Sequence, residues 1–383
     1  MVTIIGAGLS GLATAYRLQE AGIPVVVLEA SSVVGGRIQP ALNRSNNKSN
    51  DKAGSHQDLG PSWVWPYAQP VIKAWLKELG LHTFTQYDQG DGLLDRHTEH
   101  SAQRQFLPSQ HGMVRIAGGT HAIVKALHER LADSVRLSHR ATACHLVDDK
   151  LIIDVSNNDL CHEWQTAQLI IATPLRIAVP LLSSLHTVPE DCLQVCAATP
   201  TWMAPHAKVV MFYEHAFWRD QDLSGRVASY VGPLVEIHDH CGPDGSPAAL
   251  FGFAGVPAPH RAGDKFINSI EQQLRRCFGA DAPRPLDIIV KDWAADELIC
   301  TDADLAEPGN HPAVINELVR RAWCDQRLWF VTSETSAVSP GLIEGALARA
   351  DQVAQQVAAS RNCLLYTSPS PRDATLSRMP SSA

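Results

Sequence analysis

Val2-Thr3-Ile4-Ile5-Gly6-Ala7-Gly8-Leu9-Ser10-Gly11-Leu12, read on through Val25-Val26-Val27-Leu28-Glu29, sets the architecture of the chain. The β-branched run Val2 to Ile5 predicts a buried strand, and a glycine-rich turn follows at once. Leu12, Ala15, Tyr16 and Leu18 then recur at helical spacing until Gly22, and a second apolar run closes on Glu29. Strand, glycine turn, helix and strand in this order form the compact unit of a parallel doubly wound sheet. Each glycine has a physical task. Gly6 permits the tight turn, Gly8 lets backbone amides approach a pyrophosphate, and Gly11 lets helix and strand pack closely. The helix N-terminus adds partial positive charge. Residues Gly6, Ala7, Gly8, Leu9, Ser10 and Gly11 are therefore candidate phosphate ligands. Glu29, with Ala30, stands where a carboxylate accepts hydrogen bonds from ribose hydroxyls.

Outward from this unit, residues 43–52 are polar and of low complexity and predict a mobile surface loop. Ile123, Leu127 and Leu131 mark a helix after Gly118-Gly119-Thr120. Residues 151–155 alternate as a strand, Leu169-Ile170-Ile171-Ala172 reads as a short buried strand, and Leu328-Trp329-Phe330-Val331 as a late one. Between about 199 and 321 strands, turns and at least one helix mix. A last amphipathic helix is expected from about 341 to 359, with Ile343, Leu347, Ala350, Ala354 and Val357 on one face. From Leu364 the pattern stops, and residues 362–383 read as a disordered tail of artefactual sequence.

The bulk numbers exclude several function classes. The chain has 383 residues, 45% hydrophobic and 19% charged, enough for two domains with real cores. Its formal net charge of −8 argues against a nucleic-acid partner. No apolar stretch reaches membrane-spanning length and no leader is evident, so the expected location is cytoplasmic. The nine cysteines are scattered without a Cys-x-x-Cys pair and read as reduced, mostly buried thiols. His238-Asp239-His240-Cys241 precedes the turn Gly242-Pro243-Asp244-Gly245 and reads as a solvated loop. No metal site is expected.

Glu29, five residues, and then Gly35-Gly36-Arg37 form an arrangement that resembles the glutathione-reductase-type FAD proteins, and within them the flavin amine oxidases. The resemblance covers most of residues 1–361. It implies FAD as cofactor, with Gly36 and Arg37 at its phosphates, where the fixed donor fork of arginine is suited. Cys300 lies near, but not clearly on, the position where some relatives attach FAD covalently, so non-covalent binding is expected. Asp58-Leu59-Gly60-Pro61-Ser62-Trp63 is similar to the family's flavin-approaching segment, which nominates Gly60, Pro61, Ser62 and Trp63. Arg115-Ile116-Ala117-Gly118-Gly119-Thr120 resembles the segment that returns the chain to the FAD domain. Leu169 to Pro174 resembles a family strand, and Ala141 falls where the family contacts adenine through its backbone.

The resemblance also implies a catalytic residue. Lys208, in Ala207-Lys208-Val209-Val210-Met211-Phe212-Tyr213, is similar to the lysine that holds a water against flavin N5. Trp293 resembles the tryptophan beside the flavin ring. Leu328 to Thr335 resembles the segment whose glutamate, here Glu334, sits near the ribityl-phosphate region. Gly341-Leu342-Ile343 resembles the start of the last helix, placing Leu342 and Ile343 at the flavin. Three departures stand out. Val331-Thr332 replaces Ala-Gly, which puts a side chain where the backbone approaches the cofactor; Leu342 stands where an aromatic of the amine cage is usual, and residues 302–309 hold no aromatic, which leaves the substrate class open.

The implied architecture is α/β, with a doubly wound parallel-sheet FAD-binding domain (residues 1–62, 111–198 and 322–361). A second α+β substrate domain (63–110 and 199–321) is discontinuous in sequence. The implied activity is oxidation of an amine carbon–nitrogen bond to an imine, with hydride transfer to flavin N5 and molecular oxygen reduced to hydrogen peroxide. An amino-acid oxidase, a desaturase-like enzyme and a non-catalytic FAD-binding protein stand as alternatives.

Overall fold

The computed structural model describes residues 1–42, 57–108, 112–157, 160–307, 309, 311–313 and 316–367. At its centre lies a five-stranded sheet in the order Leu328–Phe330, Gln168–Ile171, Val2–Ile5, Val25–Leu28, Val135–Arg136, with every pairing parallel. Alternation along these strands explains why they read as unbroken apolar runs: both faces are covered. Val2, Ile4, Val27, Ile170 and Trp329 enter one core. Ile5, Leu28, Leu169, Ile171, Leu328 and Phe330 enter another. Each fully buried aliphatic side chain contributes about 2 kcal/mol from removal of its surface from water.

The first core is closed by the helices Leu9–Glu20, Pro70–Leu79, His121–Leu131 and Ile343–Thr367. The second is closed by a three-stranded antiparallel sheet (Arg140–Val147, Lys150–Asn157, Leu160–Thr166) and by the helices Leu175–Leu182 and Glu190–Ala198. The last helix extends beyond residue 359, where its periodicity had placed the end, into the segment expected to be disordered. The remainder of that tail, 368–383, and the polar loop 43–52 lie outside the described residues.

A seven-stranded sheet follows the order Asp287–Asp292, Ala207–Tyr213, Ala248–Ala254, Leu234–Asp239, Leu223–Ser229, Asp91–Asp95, Gln103–Gln105. It is antiparallel except where Leu223–Ser229 runs parallel to Asp91–Asp95. Val209, Met211 and Tyr213 turn to the helix Gly263–Phe278 on one face. Val210 and Phe212 turn to the other face, with Phe251, and pack against Leu59 and Trp63. Strand parity puts Lys208 on that second face.

His238-Asp239-His240-Cys241 is not a solvated loop. His238 and Asp239 end the strand Leu234–Asp239, and all four side chains are buried. The turn that follows is present, closed by the Gly245 N–H on the Gly242 carbonyl. Asp239 is held by two bonds from Arg219 and one from the Trp218 indole. Among the described cysteines Cys161 is exposed and the others are buried, none in a disulfide.

Candidate functional site

A cavity of about 450 Å³ runs between the parallel sheet and the second face of the seven-stranded sheet. Its lining collects most of the residues nominated from the sequence. Gly6, Gly8, Leu9, Ser10, Glu29 and Ala30 come from the N-terminal unit; Gly36, Arg37, Gly60, Pro61, Ser62 and Trp63 from the segments after it. Ala141, Lys208, Trp293, Leu342 and Ile343 arrive from distant parts of the chain. Thr332 also belongs to the lining, though its hydroxyl is buried and without a protein partner. Ala7, Gly11 and Glu334 are not part of the lining. Ala7 donates its N–H to Glu29 at 2.6 Å, Gly11 lies against the strand behind, and Glu334 is turned to Arg37.

The turn is built for an anion. Gly6 has φ +106°, a conformation open to glycine at little cost. The helix Leu9–Glu20 starts at Gly8 with no side-chain cap, and its first intrahelical bond is from Leu12 N–H to the Gly8 carbonyl. The amides of its first turn are thereby left to a ligand. Glu29 accepts from Ser31 N–H as well as Ala7 N–H; burial nevertheless pushes its carboxyl above the usual range. The Thr173 hydroxyl, also in the lining, is buried with no protein partner. An uncapped helix start, a buried carboxylate and an orphan hydroxyl around an elongated, largely apolar slot fit a dinucleotide such as FAD.

Arg37 and Glu334, assigned separately from the sequence, meet each other. The guanidinium makes two bonds to the carboxylate, at 2.6 and 3.0 Å, and also donates to the Ser333 hydroxyl and the Trp202 carbonyl. Burial alone would push Glu334 up; the Arg37 charge and hydrogen bonds hold it below the usual carboxylate range.

Lys208 is buried, 2% exposed, on the cavity side of its strand. Its ammonium donates to the Gly60 carbonyl at 2.8 Å and to the Ser62 hydroxyl, and lies 4.1 Å from the centre of the Phe251 ring. Burial pushes its pKa down to about 7, with Asp58 opposing and Arg115 reinforcing that shift. The folded value lies below the unfolded one. The buried ammonium therefore weighs against the fold below pH 7, and that penalty is relieved as the pH rises from about 7 toward 10.5. The melting temperature of the wild type, measured against Lys208→Met, is expected to climb across this window. Two parallel curves would show that Lys208 does not titrate there.

Behind Lys208 lies a polar cluster that sequence reading did not assemble. Arg115 is fully buried and donates to the Cys241 carbonyl at 2.6 Å and to Gln57. Asp58 accepts twice from Thr120, and its own N–H donates to His240 Nε2 at 3.0 Å. An accepting Nε2 requires neutral imidazole, and burial, helped by Arg115 and Lys208, drives His240 well below the ordinary histidine range. The only signals in sequence were single charges inside apolar runs. Also missed were the aromatic walls: Trp65, Phe251 and Phe253 line the cavity, with Phe253 paired directly across from Lys208.

The model of the family described as flavin containing amine oxidoreductase matches residues 9–108 and 84–358. Amine oxidase [flavin-containing] B of Cavia porcellus is 21% identical over 467 residues, covering 93% of this chain and 85% of that protein. L-amino acid oxidase Lm29 of Lachesis muta is 38% identical, but over 90 residues only, 24% of this chain and 16% of that protein. Among solved structures, putrescine oxidase bound to putrescine superposes with a TM-score of 0.73 at 18% identity, covering 94% of this chain and 98% of that one. Cyclohexylamine oxidase from Brevibacterium oxydans IH-35A gives 0.74 at 15%, covering 94% and 99%. These two likenesses show the fold.

Proposed function

The chain belongs to the flavin-containing amine oxidoreductases, enzymes with FAD as cofactor, and from that premise we propose that it oxidises the carbon–nitrogen bond of a small amine to an imine. Overall, the amine loses two electrons and two protons, and molecular oxygen takes them up as hydrogen peroxide. The imine then hydrolyses. When bound, FAD supplies the two-electron acceptor for the hydride equivalent from the carbon beside the nitrogen.

The chain's own residues bind, orient and exclude water. Gly6, Gly8, Leu9, Ser10 and the helix start would hold the pyrophosphate, while Ala7 fixes Glu29 for the ribose. Gly36 and Arg37 would bind at the phosphates without a covalent link. Gly60 to Trp63, Trp293, Leu342, Ile343 and Ala141 would contribute the remaining contacts with the cofactor. Lys208 already gives two N–H donors to Gly60 and Ser62, which leaves one to hold a water near the reacting atoms. A pKa of about 7 lets it hold or release a proton in the working range. The seven-stranded sheet, drawn mainly from 199–321, would carry the substrate.

One observation supports an amine in particular. Leu342 removes one usual aromatic, yet Trp63, Trp65, Phe251 and Phe253 line the same cavity from other elements. Such faces suit a neutral or weakly charged amine flanked by apolar groups. Among the described residues no helix is long and apolar enough to cross a membrane. The free thiols suit a reducing compartment, and a cytoplasmic location is part of the same proposal.

The test is anaerobic bleaching of the purified yellow protein by a panel of aliphatic amines, amino acids and cyclic alkenes. An amine is expected to bleach it, and air to restore the colour with release of peroxide. Bleaching by amino acids or alkenes alone would replace the amine reading, and no bleaching by any donor would favour a non-catalytic flavoprotein.

A further inference from the structure

We propose that His145, Asp154 and Glu163 form a binding site for one divalent transition-metal ion on the outer face of the three-stranded sheet, away from the FAD cavity. The sheet register makes the site. Asp154 and Glu163 are directly paired across adjacent strands. Asp154 is likewise paired with Ala143, and His145 lies two residues further along that strand on the same face. One ligand atom from each side chain lies within 4.8 Å of the others, and His145 Nδ1 stands 3.8 Å from Asp154 Oδ2.

The charge arrangement points to a cation. Like charges directly opposite in a sheet are destabilising. Among the described residues no lysine or arginine closes an ion pair with either carboxylate; the one ion-pair contact is His145 with Asp154. An ion bound by all three side chains turns this repulsion into attraction. Donors on one tetrahedral ion stand about 3.3–3.6 Å apart, given metal–ligand distances of about 2.0–2.2 Å. Small side-chain rotations bring the observed separation to that range, and water would complete the shell.

One imidazole and two carboxylates favour zinc and its transition-metal neighbours over calcium or magnesium, which take oxygen donors. The site joins three strands, the first of which also carries Arg140 and Ala141 at the cavity wall. The ion is a clip on that wall and takes no part in the oxidation. Sequence spacing hid it, because the ligands come from three strands in no metal-binding pattern.

The test uses FAD-loaded protein stripped with chelator, in a Cys161→Ser background that removes the exposed thiol on the same sheet. Zinc is titrated calorimetrically. One zinc per chain is expected, with affinity falling at least about tenfold in His145→Ala and in Glu163→Gln, the equivalent of about 1.4 kcal/mol. Saturating zinc should raise the melting temperature of the parent protein more than that of the variants. Flavin absorbance should be the same in all of them, which shows that they fold. The proposal is overturned if the parent protein takes up no zinc, or if either variant binds it equally well.

Discussion

Gly11→Ala is expected to yield a protein whose affinity for FAD is reduced about 10- to 100-fold. A methyl group at this position would lie 2.0 Å from the Gly6 carbonyl oxygen and 3.1 Å from the Ala172 side chain. Neither is the movable end of a long side chain. The helix Leu9–Glu20 must back away from the strand Val2–Ile5, and its first-turn amides move with it. Overpacking of this kind costs about 1–3 kcal/mol, which corresponds to that range of affinity. The measurement is flavin absorbance per mole of protein during FAD titration, with circular dichroism to show that the fold persists. Unaltered FAD affinity would mean that the turn is not where the pyrophosphate sits.

Lys208→Met should slow the reaction of the reduced enzyme with oxygen by about 100-fold, the loss typical of one preorganised donor near developing charge. Methionine keeps most of the volume of the buried stem. It removes the donor that reaches Gly60 and Ser62, and with it the proposed hold on a water. Stopped-flow mixing of reduced protein with oxygen reads this step apart from reduction by amine, which should change far less. Unchanged oxygen reactivity would remove the role assigned to Lys208 while leaving FAD binding intact.

The N-terminal unit was legible because its signals are local. Strand, turn, helix and acid lie side by side in the chain, and each conformational demand is met by the residue that carries it. Lys208 was legible for a different reason: a charge in a seven-residue buried strand contradicts its surroundings unless it has partners. Partnerships across long sequence separations were not legible. Arg37 and Glu334 were each assigned to the cofactor, yet 297 positions apart they bond to one another. His238 to Cys241 looked solvated because polar residues next to a turn usually are. Partners from elsewhere in the chain let most of them be buried: Arg219 bonds Asp239, Arg115 bonds the Cys241 carbonyl, and the Asp58 N–H bonds His240. Phe251 and Phe253 could be seen as an alternating pair, but which strand they face is fixed only by register.

The strand order of the parallel sheet has a consequence for how the protein is made. Val2–Ile5 is made before either neighbour and soon gains Val25–Leu28 on one side, but Gln168–Ile171, on the other side, is synthesised much later. The edge strand Leu328–Phe330 and the helix that seals the first core come later still. The nascent chain therefore carries a finished glycine turn on an unfinished sheet, with apolar faces exposed until the later strands are made. Loading of the nucleotide is expected only after Leu328–Phe330 and the helix Ile343–Thr367 have docked.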